Sequence, residues 1–431
     1  MLPWCQQSKH IMKILNILPY SPVPPHFGGA LRIFHLLHYM VKHHDVSVIA
    51  YGDQASGEAI RRAYPGGLRE IVMVPPPPHL YGRLRRWGQF SAILRGRSAT
   101  SMAFYSPGMQ EAIDRFLVRE RFDIIQMENY PLGFYNLGDQ GALHVMDAQN
   151  VEYDSAHRIA NASPSSLRRW FYEREAMSIR REETAIYRKQ SGVLLTSDRD
   201  RSLLEADLPE VPKFVVPNGV DLSYFQPGGG RIEPASLVFT GSMNYYPNTD
   251  GVLYFLSEIF PLIQKVVPNV RFYAVGISPP KSLLRLRSDS IVVTGAVDDV
   301  RPFVERSAVY VVPLRMGGGT RLKVLEAMAM QKPVVTTTVG CEGVQVRHNE
   351  SVLIANDPSS FAASVAELLN NRTLAARLQA NGYEIVRSHY TWEVVGDRLG
   401  DAYRSLTTGR PDAVDSERGA HRGGMTTKDR T

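Results

Sequence analysis

Short apolar runs alternate with helical patterns through most of this chain, and the alternation stops once and then starts again. No other feature constrains the fold as much. MKILNIL, DVSVIAY, FDIIQME, ALHVMDA and SGVLLTS in the first half read as strands, as do SLVFTGS, VRFYAVG, SIVVTGA, AVYVVPL, PVVTTTV and SVLIAN in the second. Between them lie segments with helical spacing, such as ALRIFHLLHYMVKHH (Leu31, Phe34, Leu37, Val41), Ser166 to about Lys189, GVLYFLSEIFPLIQKVV and TRLKVLEAMAMQ. This order predicts parallel sheets covered by helices on both faces. The break, LPEVPKFVVPNGVDLSYFQPGGG (208–230), is rich in Pro and Gly and reads as an interdomain linker. At 431 residues the chain exceeds what one core organises. The expectation is α/β: two tandem Rossmann-like doubly wound domains, residues 12–207 and 231–385, facing each other across a cleft. No sequence repeat relates the halves.

The ends read differently. YTWEVVGDRLGDAYRSL places Trp392, Val395, Leu399 and Tyr403 on one face of a helix expected over 386–406. Residues 407–431 are polar, Gly-rich and charged, and are expected to be disordered. Residues 1–11 lack an apolar core and a cleavage site, so they read as a disordered leader before a start at Met12 rather than as a signal peptide. No run approaches the roughly 18 apolar residues of a membrane span. Cys5 and Cys341 make no disulfide framework, which fits a reducing, cytoplasmic compartment.

The net charge of +6 is modest, but it is unevenly spread. No carboxylate lies between Glu70 and Glu111, where Arg83, Arg85, Arg86, Arg95 and Arg97 gather with Tyr81, Trp87 and Phe90. LRRWFYER (167–174) is a second basic-aromatic run. Such surfaces suit an anionic membrane, a phosphorylated acceptor or nucleic acid; a solvated face with snorkelling arginines is the plain alternative.

The most chemical segment is Gly317-Gly318-Gly319-Thr320-Arg321-Leu322-Lys323, between strand AVYVVPL and a helix. Ligands of open parallel sheets bind beyond the carboxyl ends of the strands. Three glycines allow close backbone approach, Thr320 can cap the helix, and the helix start favours an anion. Arg321 and Lys323 put cations where the helix dipole disfavours them, and a bound phosphate accounts for that placement. Glu326, one turn on, suits ribose hydroxyls. Neither a P-loop nor a GxGxxG fingerprint is present. Asp198 and Asp200 match a metal-binding D-x-D, but their place after a strand reads as a helix cap by Ser197 or Asp198.

With these residues assembled, the chain resembles a retaining glycosyltransferase of the GT-B fold, family GT4 (glycosyl transferases group 1). The resemblance rests on SLVFTGSMNYYPNTDGV, VTGAVDDV, YVVPLRMGGGTRLKVLEAMAMQKPVVTTTVGCEGV, HYTWEVV, PYSPVPPHFGG and FVVPNGVDLSYF. The form GGGTRLKVLEAMA is similar to transferases of exopolysaccharide assembly associated with the PEP-CTERM/exosortase system. The resemblance implies a nucleotide-sugar donor in the second domain, a glycan or lipid-linked acceptor in the first, no metal or other cofactor, no nucleic-acid partner, and a terminal helix crossing back. It implies donor contacts at Gly241, Gly276, Gly295, Val297, Gly317, Gly318, Gly319, Thr320, Leu322 and Glu326, the last matching the second glutamate of an E-x7-E motif. Gly28, Gly29, Gln149 and Asn150 would line the acceptor side, with Asp147 and Glu152 nearby.

Three departures stand out. The first glutamate of E-x7-E falls at Gly318. The cations that relatives carry after the first strand of the second domain are absent from GSMNYYPNTDG. A cleft histidine is replaced by Gln149 in DAQNVEYD. Arg321 and Lys323 are the expected substitutes for the lost cations, stabilising the leaving diphosphate. A binding subunit without turnover, and a sugar-nucleotide epimerase of the same fold, remain alternatives.

Overall fold

The structure is a computed structural model describing residues 11–77, 97–162 and 165–409. Of the arginines expected to cluster at 83–97, Arg97 alone is among them, paired with Glu182 at 2.7 Å; the others, most of the leader, and the tail from 410 lie outside.

Two parallel sheets form the frame. The first joins β1 (Lys13–Leu18), β2 (Asp45–Tyr51), β3 (Leu68–Val74), β4 (Ile124–Glu128), β5 (Leu143–Ala148), β6 (Gly192–Leu195) and β7 (Lys213–Val215) in the order β3-β2-β1-β4-β5-β6-β7. The second joins β8 (Glu233–Thr240), β9 (Arg271–Val275), β10 (Ile291–Val293), β11 (Ser307–Val312), β12 (Val334–Thr336) and β13 (Leu353–Ile354) in the order β10-β9-β8-β11-β12-β13. Each chain order reverses beside its first strand, β1 against β4 and β8 against β11, which opens a crevice at the strands' carboxyl ends. The strands read as continuous apolar runs because helices cover both faces; in β1 every residue after Lys13 is buried.

Three sequence expectations shift. The Gly28–His43 helix buries Ala30, Ile33, Leu36, Leu37 and Met40, while Leu31, Phe34 and Val41 are only partly buried. The terminal helix also packs on it, so it is apolar on two sides and its periodicity is ambiguous. Lys213–Val215, inside the stretch expected to be linker, is the seventh strand of the first sheet, paired with β6. Pro212 and Pro217 flank it and hid it. The helix expected from 386 is two helices, Arg372–His389 and Trp392–Thr408.

Trp392–Thr408 crosses back. Trp392, Val395, Leu399 and Tyr403 are buried in the first domain's core, and the Trp392 ring stacks on His35 with centroids 4.4 Å apart. Where the two connections between the domains pass, the Val220 amide donates to the Tyr390 carbonyl at 2.7 Å. Arg32, 1% exposed, anchors this crossing: Nε and Nη2 each donate to Asp147 at 2.8 Å, and Nη1 donates to the Val216 carbonyl at 2.8 Å. No helix among the described residues is long and apolar enough to cross a membrane.

Candidate active site between the domains

The carboxyl edge of the second sheet is kept low by glycine. Gly241, Gly276, Gly295 and Gly317 follow β8, β9, β10 and β11, four neighbouring strands. Gly276 has φ +153°, and a Cβ there would overlap the Gly241 carbonyl, so only glycine fits. Gly295 faces open space. Val297 is half-buried against the second domain's core.

The loop after β11 folds around Arg321. Its Nη1 donates to the Gly318 carbonyl at 2.7 Å and its Nε to the Val339 carbonyl at 3.1 Å. Arg321 is 6% exposed, so it braces the loop instead of projecting as an open cation. Thr320 does not cap the helix. Gly319 turns the chain with φ +69°, the Leu322–Ala329 helix starts after Arg321, and the Thr320 hydroxyl donates across the cleft to the Thr196 carbonyl at 3.1 Å.

Lys323 takes the position sequence reasoning found vacant. Its ammonium donates to the Thr240 carbonyl at 2.9 Å and to Asn248 Oδ1 at 2.8 Å, and lies 2.8 Å from where a Cβ on Gly241 would stand. It therefore reaches the end of β8 from the neighbouring helix. Part of the side chain meets the surface, but protein surrounds the ammonium, and burial pushes its pKa down to about 7. Glu326, on the same helix, is pushed up to about 7 by burial, with Lys323 opposing. Glu326 costs stability as pH rises from the ordinary carboxylate value to about 7; Lys323 returns stability from about 7 to the ordinary amine value. The empty site is thus least favourable near neutrality, where an anion would hold Lys323 charged. An anion that stays doubly ionised across this range, such as a diphosphate diester, should bind here with proton uptake at pH 8, and its affinity should fall above pH 7. Calorimetry in two buffers of different ionisation enthalpy measures this, and Lys323→Arg should abolish it. Affinity independent of pH between 6.5 and 8.5 would contradict it.

The first domain supplies the opposite wall. Neither the Gly28–His43 nor the Leu322–Ala329 helix has a side-chain cap, and the two starts meet, a Cβ on Gly28 falling 3.2 Å from Leu322 Cδ1. Two helix N-termini, each carrying partial positive charge, thus lie side by side at the cleft. Gly29 lies against the Tyr20 hydroxyl and Gln149 Oε1. Gln149 donates to Glu128 at 3.4 Å. Asn150 sits on Gly319, and Ser155 sits on Gly318. Asp147 is committed to Arg32, which makes it structural. Glu152 begins a helix whose first amides, those of Glu152 and Tyr153, donate to the buried Glu183 carboxylate. Ser197 caps the Asp198–Glu205 helix, and Asp198 and Asp200 diverge, with side chains 56% and 4% exposed. They share no ligand-binding point.

Sequence reasoning missed the Glu152–Ala162 helix and its residues Ser155 and Arg158, which touch the glycine loop. The departure at Gly318 has a steric counterpart: a Cβ there would stand 2.5 Å from Ser155 Oγ. Gly318→Glu should therefore fail to raise turnover and should loosen the closed cleft, lowering the thermal midpoint. A gain in activity in the single variant would refute this.

Residues 234–371 match the family model described as glycosyl transferases group 1. The chain is 27% identical over 239 residues to the lipopolysaccharide core biosynthesis mannosyltransferase LpcC of Rhizobium leguminosarum, covering 51% of this chain and 66% of that one. The chain spans 42% and 66% of the first two curated relatives it matches. In fold it is similar to a sucrose-phosphate synthase from Thermosynechococcus elongatus, with a TM-score of 0.69 at 17% identity over 93% of this chain and 100% of that one. The Anabaena protein HepE, solved with UDP, superposes with a TM-score of 0.65 at 12% identity, over 91% and 100%. The two parallel-sheet domains match the GT-B fold of solved glycosyltransferase structures.

Proposed function

We propose that this protein is a glycosyltransferase that moves a hexose from a nucleotide-sugar donor to a glycan or lipid-linked acceptor with retention of configuration. The observation that carries this reading is Lys323: a half-buried lysine whose enclosed ammonium is delivered to the end of β8, one helical turn from the Glu326 carboxylate. A diphosphate over the neighbouring helix starts would meet Lys323, and the ribose would meet Glu326. The match of the second domain to group 1 glycosyl transferases, and the UDP held by the similarly folded HepE, support the same ligand class.

In the reaction the bond from the sugar's anomeric carbon to the diphosphate oxygen breaks, and the acceptor oxygen bonds to the same face. The acceptor proton passes to the departing phosphate oxygen, so no protein base is required. Lys323 stabilises the charge that grows on the leaving diphosphate, and Arg321 holds the loop that presents it. Gly28, Gly29, Gln149 and Asn150 shape the acceptor wall. We assign the activity to exopolysaccharide synthesis on the cytoplasmic side of a membrane. LpcC, a relative of lipopolysaccharide assembly, favours an acceptor of this kind.

A thermal-shift screen of nucleotide sugars is the primary test. A true donor should raise the melting temperature in proportion to the logarithm of its concentration over Kd, and sugar should then transfer to a lipid-linked acceptor. Conversion of free donor without transfer would indicate an epimerase, and binding without turnover a non-catalytic subunit. Either result would overturn the proposal.

A further inference from the structure

A group of charges crosses the cleft beside the glycine loop, and the chemistry above does not use it. Arg158, on the Glu152–Ala162 helix, donates from Nη1 to Glu342 Oε2 at 2.7 Å and to the Gly317 carbonyl at 3.0 Å. Its Nη2 donates to Glu342 Oε1 at 3.1 Å. Asp154 holds Arg158 and Arg199, each at 2.9 Å, and Arg199 stands 3.7 Å from Glu342. Glu342 belongs to the second domain, directly after the Val339–Cys341 turn that receives Arg321. Arg321 Nη2 is 3.6 Å from Glu342 Oε2, buried, and without a hydrogen-bond partner.

A buried guanidinium nitrogen left unpaired costs free energy and calls for an explanation. Here the explanation is competition. Glu342 has one carboxylate, and the arginine of the opposite domain occupies both of its oxygens.

We propose that Arg158 is a positioning residue that couples closure of the cleft to the charge of the donor loop. It rests on the reading that this loop binds a nucleoside diphosphate. When the domains part, Arg158 and Arg199 leave with the first domain, and Arg321 is the cation that remains beside Glu342. Glu342 then neutralises Arg321. When the domains close, Arg158 takes the carboxylate and fixes the Gly317 carbonyl, and Arg321 keeps only a 3.6 Å contact with a Glu342 already shared with Arg158, so its charge is less compensated beside the phosphate position. Closure and anion binding thus favour each other, as linkage between two sites requires.

The test uses the full chain with UDP and GDP as probes in calorimetry, and X-ray scattering without nucleotide. Arg158→Ala should weaken binding on the order of tenfold, within the usual range of coupling between sites. It should also give a larger radius of gyration. Adding Glu342→Gln to Arg158→Ala should restore most of the affinity, because Arg321 is then no longer neutralised. A purely structural role predicts the reverse, with the double variant as weak as Arg158→Ala or weaker. Affinity of Arg158→Ala within about twofold of wild type, below any plausible coupling, would overturn the proposal, as would a double variant without recovery. Failure of the wild type to bind either nucleotide would overturn the ligand reading instead. Unchanged scattering of Arg158→Ala would sink the closure coupling by itself.

Discussion

Lys323→Ala is expected to lower kcat on the order of a hundredfold, the usual cost of removing one preorganised group from developing charge. The donor's diphosphate gains charge as the glycosidic bond breaks, so an ammonium fixed at its side helps the transition state more than the ground state. Lys323 is fixed in this way: Thr240 and Asn248 hold it, and the Phe239 ring lies 3.8 Å beneath it. The variant should fold, because the lysine stands at the carboxyl edge of the sheet and is partly exposed. Lys323→Arg should retain part of the activity. Arg321→Ala should behave differently, raising KM and lowering thermal stability, because Arg321 ties the Gly318 and Val339 carbonyls together. Steady-state kinetics with donor and acceptor both varied separates the two. A kcat for Lys323→Ala within a few-fold of wild type would remove Lys323 from the proposed chemistry.

That contrast shows where the sequence could be read and where it could not. The strands after which Gly241, Gly276 and Gly317 fall were legible, because an apolar run ending in glycine is a local pattern. The buried face of the terminal helix was legible for the same reason, Trp392 to Tyr403 keeping one helical period. The loop's cations were visible, but not the direction of their side chains. Arg321 and Lys323 are two residues apart, and the non-helical conformation of Arg321 (ψ 83°) separates a brace from a reaching ammonium. Lys323 fills the gap after β8 only because β11 pairs beside β8, a neighbour relation no local pattern encodes. Glu175 and Glu183 look like surface charges of a long helix, yet they accept backbone amides at the starts of two other helices. Arg158 gave no local sign, since its partners Gly317 and Glu342 lie in the other domain.

The same limit hid Arg32, whose loss should be the most damaging to stability. An arginine between Leu31 and Ile33 in an apolar helix was the one available sign. In the fold its guanidinium is completely enclosed, paired with Asp147 and bonded to the Val216 and Pro217 carbonyls and to Asn218 Oδ1. Arg32→Met would leave the Asp147 carboxylate buried without a counterion. Breaking one side of such a pair costs about 3–5 kcal/mol. A second carboxyl sharpens the effect. Glu128 is pushed up to about 8 by burial, then by Asp147, with Gln126 and Arg32 opposing. In the wild type it therefore carries a proton at neutral pH, and stability falls as pH rises from the ordinary carboxylate value through about 8. Removing Arg32 favours protonation further, so Arg32→Met should be less destabilised at pH 6 than at pH 8.5. Adding Asp147→Asn should recover part of the loss, because no uncompensated charge remains. Arg32 also holds the segment through which the chain leaves the first domain, so the variant should lose closure before it loses either sheet. Chemical denaturation at the two pH values, with scattering for domain separation, measures both effects. A loss below about 1 kcal/mol, the level of an exposed ion pair, would show that this buried pair does not anchor the crossing.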